Sequence, residues 1–370
     1  MKRIAWLLCL CWCASLGMLA QKTLQQEADS IVKYQLKSGG WPKNQNWLKG
    51  VSPKEAKEWK KSGIGSTIDN GATIREMDIL TRAMGQIRVM EEEDYLWMDR
   101  KLVQKRKVLF AEAFRKGVKY LLDMQYPSGG FPQYYPPKAK PDYSAEITFN
   151  DNAMVNALRM LRDVAGDSAR YRSMQVDAET KKMCQAAYER GLQCIAFCQI
   201  RVNESGRVLD FGSATWRMGQ LTVWCQQHDH EMFAPVGARS YELPSYCGFG
   251  ETCGILDLLM DIPDPSPEVK EMVTGAVEWL KAHAMKDVAL EHFTDESGRD
   301  DIRLVEKKGA PLLWARFYDL EKCEPMFVGR DGVPHANLSD IEYERRNGYQ
   351  WVSDAPKKVI DRYQKWITNL

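Results

Sequence analysis

Two short stretches of this sequence set acidic and amide side chains directly ahead of a helical pattern. They are Thr67-Ile-Asp69-Asn70-Gly-Ala and Thr148-Phe-Asn150-Asp151-Asn152-Ala. Asp and Asn cap helices well, and a single cluster of this kind asks for no further explanation. Two clusters, each behind a Thr and a β-branched or aromatic residue, also read as a cleft lined by carboxylates. Oxygen ligands on loops suit a hard cation such as calcium, whereas the 5 histidines are poorly distributed for zinc. His228-Asp229-His230 is the closest approach to a zinc site and has no third ligand nearby in the sequence. Two aspartates in one cleft are equally the acid and base of a glycosidase, so Asp69 and Asp151 stay open between those roles.

A second set of residues is not used by a glycosidase. Arginines accompany every later polar loop: Arg239 before Tyr241-Glu242-Leu243-Pro244, Arg316 in LLWARFYDLE, Arg330 in GRDG, and Arg345-Arg346 ahead of GYQW. The guanidinium fork pairs with carboxylates. Calcium-type ligands on one side of a cleft and arginines on another fit a polymer that carries a carboxylate on each sugar.

The elements that must position these groups are mostly helices. Apolar residues recur three and four apart over 22–37, 72–89, 107–124, 152–164, 180–200, 251–261, 268–283 and 356–368, while extended candidates are confined to 208–211, 221–225 and 302–305. A near copy links two of the breaks: Gln35-Leu-Lys-Ser-Gly-Gly-Trp41-Pro returns as Gln125-Tyr-Pro-Ser-Gly-Gly-Phe131-Pro. Two glycines permit a left-handed helix end and a close backbone approach, and proline stops the helix. The recurrence predicts helical hairpins that share one closing geometry, arranged as a toroid, with Trp41 and Phe131 either capping a core or stacking on a sugar. The spacing Q-x-x-x-G-x-(W/F) also resembles terpene cyclase repeats, but their acid-rich initiating motif is missing. The stretch 86–107 reads as one solvated helix, acidic first and basic last, and the Lys-rich 53–61 as a solvated face.

Residues 1–20 have a basic start, a short apolar run and small residues at the end, the pattern of a secretory signal, leaving 21–370 as the mature chain. The near balance of 51 basic and 50 acidic residues gives no field for nucleic acid, and no membrane attachment is expected after signal removal. Beyond residue 20 the cysteines are odd in number and fit no zinc spacing, so mostly buried thiols are expected, Cys247–Cys253 being the nearest candidate pair.

The ordered set GGWPKN, TIDNGAT, GGFPQYYP, ITFNDNAMVNAL, LTVWCQQHD, ARSYELPS, WARFYDLE, RDG and ERRNGYQW resembles polysaccharide lyase family 10, the pectate lyases, across roughly residues 22–355. The resemblance implies a mainly α, toroid-like catalytic domain over 21–370, with long loops and a few short strands lining a central groove. It implies calcium-dependent β-elimination of polygalacturonate, secreted or periplasmic, by a monomer, giving 4,5-unsaturated oligogalacturonides. Residue by residue, Asp151 resembles the calcium aspartate and Asp69 the other acidic residue of the metal and substrate site. Arg239 resembles the catalytic arginine, here the expected base, and Arg316 and Arg330 resemble arginines that hold uronates, with Asn70 and Asn150 beside the substrate. Two departures stand out: DYSAEITFND has no His-rich segment, and CGFGETC replaces a Ser-Gly-x-Glu-Ser loop. The competing functions are a hydrolase using Asp69 and Asp151 and a non-catalytic pectin-binding relative.

Overall fold

A computed structural model describes residues 23–62, 65–93, 99–138, 140 and 142–369. The signal pattern at 1–20 lies outside the described residues. The backbone divides into two compact units. The first takes Met1–Gln125, Tyr134–Ala139 and Asn156–Tyr188, and the second takes Tyr126–Gln133, Lys140–Val155 and Glu189–Leu370.

Helices dominate the first unit, and the second combines helices with all of the described strands. In chain order the helices are α1 (23–33), α2 (Pro53–Ser62), α3 (Ile74–Glu92), α4 (Arg100–Met124), α5 (Ala153–Ala165), α6 (Ala178–Cys198), α7 (Glu251–Met260), α8 (Pro267–Ala282), α9 (Tyr343–Asn347) and α10 (Ala355–Thr368). Each of the eight periodic segments read from the sequence is a helix. The apolar stripes are what they bury: Ala28 and Ile31 on α1, Met77, Leu80, Met84 and Ile87 on α3, and Phe110, Phe114, Val118 and Leu121 on α4. Local chemistry marks the starts. The Thr73 N–H donates to Glu76 Oε2 at 2.7 Å at the head of α3, and Asp99 accepts from two amides of α4. Among the described residues no helix is long and apolar enough to cross a membrane.

The stretch 86–107 is not one helix. Its acidic block ends α3 and its basic block opens α4, so each charge sits at the unfavourable end of its own helix dipole. An ion pair between the helices offsets this, Lys107 Nζ lying 2.9 Å from a Glu91 carboxylate oxygen.

The repeat seen twice in the sequence occurs a third time in three dimensions. Gln35 Nε2 donates to Ala113 O at 2.8 Å, Gln125 Nε2 to Ala187 O at 2.8 Å, and Gln199 Nε2 to Met272 O at 2.9 Å. The carbonyls of Trp41, Phe131 and Trp224 then accept from the backbone of Thr67, Thr148 and Cys247, at 3.1, 3.0 and 2.9 Å. In the third copy the Gly-Gly turn is replaced by an excursion whose ends pair as strands, Arg201 opposite Leu221 and Val202 opposite Gln220. That excursion hides the repeat from the sequence. Trp41, Phe131 and Trp224 are fully buried, so they cap the core and offer no face to a sugar.

Strands are few and short apart from one hairpin, Val288–Thr294 against Asp300–Glu306. The sequence reading found only its second strand. A four-stranded sheet in the order 334–335, 325–328, 317–318, 246–247 covers an apolar cluster that includes Cys247, Phe317, Phe327 and Trp351. The expected Cys247–Cys253 pair is absent, because both residues are buried free thiols, one in a strand and the other in the first turn of α7.

The closing glycines are testable. Gly39 has φ +101° and an added Cβ would lie 2.4 Å from Lys116 O; Gly129 has φ +90° and would meet Arg190 O at 2.1 Å. Gly206, at φ +80°, has open space around it. Gly39→Ala and Gly129→Ala should each lose about 2–4 kcal/mol, from backbone strain plus displaced neighbours, and Gly206→Ala about 1 kcal/mol from strain alone. Urea midpoints of the three variants would check this, and equal losses would show that the close approach does not matter.

Candidate active site

The two polar clusters form the same turn. In Asp69–Gly71 and in Asn150–Asn152 the middle residue is left-handed, Asn70 at φ 52°, ψ 31° and Asp151 at φ 52°, ψ 25°. Asn and Asp tolerate this region better than other side chains.

In the first unit Asp69 is buried and accepts from the Lys43 ammonium. Its amide donates to Thr67 Oγ1 at 3.0 Å, and Asn70 Nδ2 donates to Asn44 Oδ1 at 3.1 Å. Lys43 and Lys138 both lie over the Tyr134 ring, at 5.9 and 4.9 Å. In the second unit Asp151 is exposed and accepts from Asn150 Nδ2 at 3.0 Å, while Gln226 Nε2 donates to Asn150 Oδ1. The amides of Phe149 and Asn150 both donate to Gln226 O, which ties this turn to strand 227–228, the partner of 147–148. Asn152 packs against α7 at Gly254, where any side chain would collide with its Oδ1.

The arginines of the second unit gather on two tyrosine rings. Arg239, Arg330 and Arg345 stand 5.9, 4.7 and 3.9 Å from the ring centre of Tyr241; Arg345 and Arg316 stand 3.8 and 4.6 Å from that of Tyr349. Buried carboxylates hold two of them: Glu242 accepts from Arg239 Nη1 at 3.2 Å, and Glu251, at the start of α7, accepts from Arg316 Nη2 at 2.8 Å. Burial pulls down the pKa of each of these two guanidinium groups, but nearby negative charge outweighs it, from Glu242 on Arg239 and from Glu251 and Asp151 on Arg316. Both end above the ordinary arginine value. Arg330 is half exposed and paired with Glu344 at 2.8 Å.

Arg345, absent from the site read off the sequence, differs from all of these. It is 6% exposed, and its Nε and Nη2 have no hydrogen-bond partner. Burial lowers its pKa. Arg346 beside it is committed elsewhere, in a two-pronged pair with Asp301 at 2.8 and 2.6 Å. The double arginine in ERRNGYQW was the available signal, and only the fold tells which of the pair is tied off.

Asn150, Asp151, Arg239, Arg316 and Arg330 therefore belong to the second unit, and Asp69 and Asn70 to the first. His228 is a structural residue: fully buried, it accepts from the Cys225 amide at 3.0 Å and donates from Nδ1 to Phe233 O at 2.7 Å. Burial pushes its pKa down to about 4, so it is neutral. Among the described residues no group of three or more His, Cys, Asp or Glu is arranged to hold a metal ion.

Four arginines gathered on two tyrosines favour anions, and the aspartate exposed on a turn of the same unit favours a cation. The sequence pattern of the pectic acid lyases matches residues 35–360. The chain belongs to that family. Among solved structures, a family 10 polysaccharide lyase from Cellvibrio cellulosa superposes with a TM-score of 0.70 at 29% identity, covering 92% of this chain and 91% of its own. A mutant of a family 10 lyase from the same organism, in complex with trigalacturonic acid, matches with a TM-score of 0.70 at 28% identity over 92% of both chains. No curated protein matches. The protein is a pectate lyase, and its fold is of the mainly α class that the resemblance implied.

In this pectate lyase the neighbouring arginines should fail differently. Arg345→Met should leave the urea midpoint near wild type and raise KM for polygalacturonate about tenfold or more, the loss of a charge-assisted contact. Arg346→Met leaves the buried Asp301 without its counter-charge, with only the amides of Asn347 and Ile302 as partners, so stability should drop by about 2 kcal/mol or more with KM little changed. Paired denaturation and steady-state measurements would reveal a reversed pattern if the assignments are wrong.

Proposed function

We propose that this pectate lyase cleaves polygalacturonate by calcium-dependent β-elimination, with Arg239 as the base. The observation that carries the reading is the arginine cluster on Tyr241 and Tyr349 in the same unit as the exposed Asp151. Ring contacts hold guanidinium groups without cancelling their charge, which suits a polymer bearing one carboxylate per sugar. We assign Arg316, Arg330 and Arg345 to uronate carboxylates, and Asn150 and Asn70 to substrate hydroxyls. The working chain is taken as a secreted or periplasmic monomer of residues 21–370.

The donors present fit calcium. Asp151 offers exposed carboxylate oxygen on a turn, the type of donor calcium takes, and substrate and water oxygens would add to it. Asp69 is the second acidic ligand proposed, in the first unit, where a cation would have to displace the Lys43 ammonium. Bound calcium supplies positive charge to a uronate carboxylate as negative charge develops on it.

The reaction removes the proton at C5 of a galacturonate. The electron pair left at C5 forms the C4–C5 double bond, the bond from C4 to the glycosidic oxygen breaks, and the leaving oxygen takes up a proton. No water is consumed. Arg239, at the tip of the turn closed by its own hydrogen bonds with Glu242, takes the C5 proton when neutral. Burial lowers the pKa of Arg239 but the Glu242 carboxylate raises it by more, and that favours a second reading in which Arg239 stays protonated and only stabilises the developing charge.

Two predictions separate these readings and test the metal. Chelation should abolish the ultraviolet absorbance of unsaturated product, calcium should restore it, and magnesium should restore less because it holds its waters. Asp151→Ala should behave like chelated enzyme and respond poorly to added calcium. Reducing ends without that absorbance would indicate hydrolysis, and neither signal a non-catalytic binder. For Arg239, kcat should rise with pH, since the neutral fraction grows. Glu242→Gln removes the charge that raises the pKa of Arg239, so as a base its rising limb should move to lower pH. An unmoved limb with altered KM would leave Arg239 as a charge clamp.

A further inference from the structure

The excursion that replaces the Gly-Gly turn in the third hairpin does more than connect. Its segment 211–217, with 231–233 and the end of α6, encloses a cavity of about 440 Å³ lined by Phe197, Phe211, Trp216 and Phe233, with Ser213 and Ala214 among its other residues. All of it belongs to the second unit. The lining is preset. Trp216 is clasped by the Arg201 guanidinium at 4.5 Å and by the stacked ring of Phe197 at 6.0 Å. Phe233 is held at φ +62°, an unusual conformation for an aromatic residue, by the hydrogen bond its N–H donates to Asp229 O and by the His228 Nδ1–H on its carbonyl. Phe211 and Phe233 keep part of their surface exposed.

Charge and hydrogen bonding say what enters. Arg217 and Glu231 at the rim cancel, unlike the arginine cluster on Tyr241, so nothing here selects an anion. Trp216 is 6% exposed, so its indole backs the wall, and the partly exposed phenyl rings of Phe211 and Phe233 are what a ligand meets. A ligand with apolar C–H faces for the phenyl rings and hydroxyls for Ser213, Arg217 and Glu231 is a neutral sugar. We propose that this cavity is an accessory site for neutral sugar residues, separate in its chemistry from the uronate site, through which the lyase engages neutral branches of an otherwise acidic polysaccharide.

The test titrates the full chain with galactotriose, trigalacturonate and 4-hydroxycinnamate, following heat and tryptophan fluorescence, and assays each variant on unbranched polygalacturonate. Galactotriose should saturate with a fluorescence change. Phe211→Ala should weaken it about tenfold, and so should Ala214→Trp, which fills the cavity from an exposed position without removing a ring. Both variants should keep kcat and KM on polygalacturonate within about twofold. Three outcomes would overturn the proposal: no saturable binding of galactotriose, binding of trigalacturonate or hydroxycinnamate that the same substitutions abolish in its place, or loss of polygalacturonate cleavage in both variants. Wild-type activity is read in the same series, so failure of the accessory site and failure of the lyase mechanism give different results.

Discussion

The backbone carbonyl of a buried aromatic residue is the point on which this architecture turns. Trp41, Phe131 and Trp224 each present it to the amide that opens the next turn, and a left-handed residue follows at Asn70, Asp151 and Gly250. A buried carbonyl must be paired, so the aromatic anchor and the polar turn are locked at one separation. In two copies the left-handed position carries a polar side chain at the head of a helix. In the third it is glycine, and the next residue, Glu251, is the one that acts, by holding Arg316. One backbone solution thus supplies three differently furnished loops, which is how a rigid helical frame comes to carry function on its connections.

The second organising element is the way positive charge is kept available. An arginine pinned only by carboxylates is neutralised by its own support, as Arg346 is by Asp301. Tyr241 and Tyr349 give a support of another kind, because a ring face orients a guanidinium while leaving its charge intact. Glu242 and Glu251 add direction to Arg239 and Arg316 from below. The guanidinium groups are thereby fixed in place before any ligand arrives, which is the preorganisation that the proposed uronate site calls on.

Periodicity alone located eight of the ten described helices, because burying an apolar stripe is a local demand written in each segment. The motif order was enough for the family, and the Asp and Asn clusters with their arginines were enough for an anionic polymer. What failed had non-local causes. The third hairpin was invisible because an excursion of some twenty residues replaced the turn by which the other two were known. The break between α3 and α4 was read as continuous because its charges suit a dipole that the chain does not form there.

The same division runs through the site. Residue types and their order along the chain determined the chemistry on offer: carboxylate and amide oxygens on turns, guanidinium forks on later loops, and buried aromatics beside glycine. Tertiary structure decided which of those groups stay available. Asp69 is met by Lys43 and Asp151 stands exposed; Arg346 is consumed by a strand aspartate and Arg345 is buried between two rings with no carboxylate on it among the described residues; His228 is locked neutral in the core. Such outcomes depend on partners distant in sequence, and Coulomb and desolvation energies change steeply with separation and burial, so spacing along the chain carries no record of them.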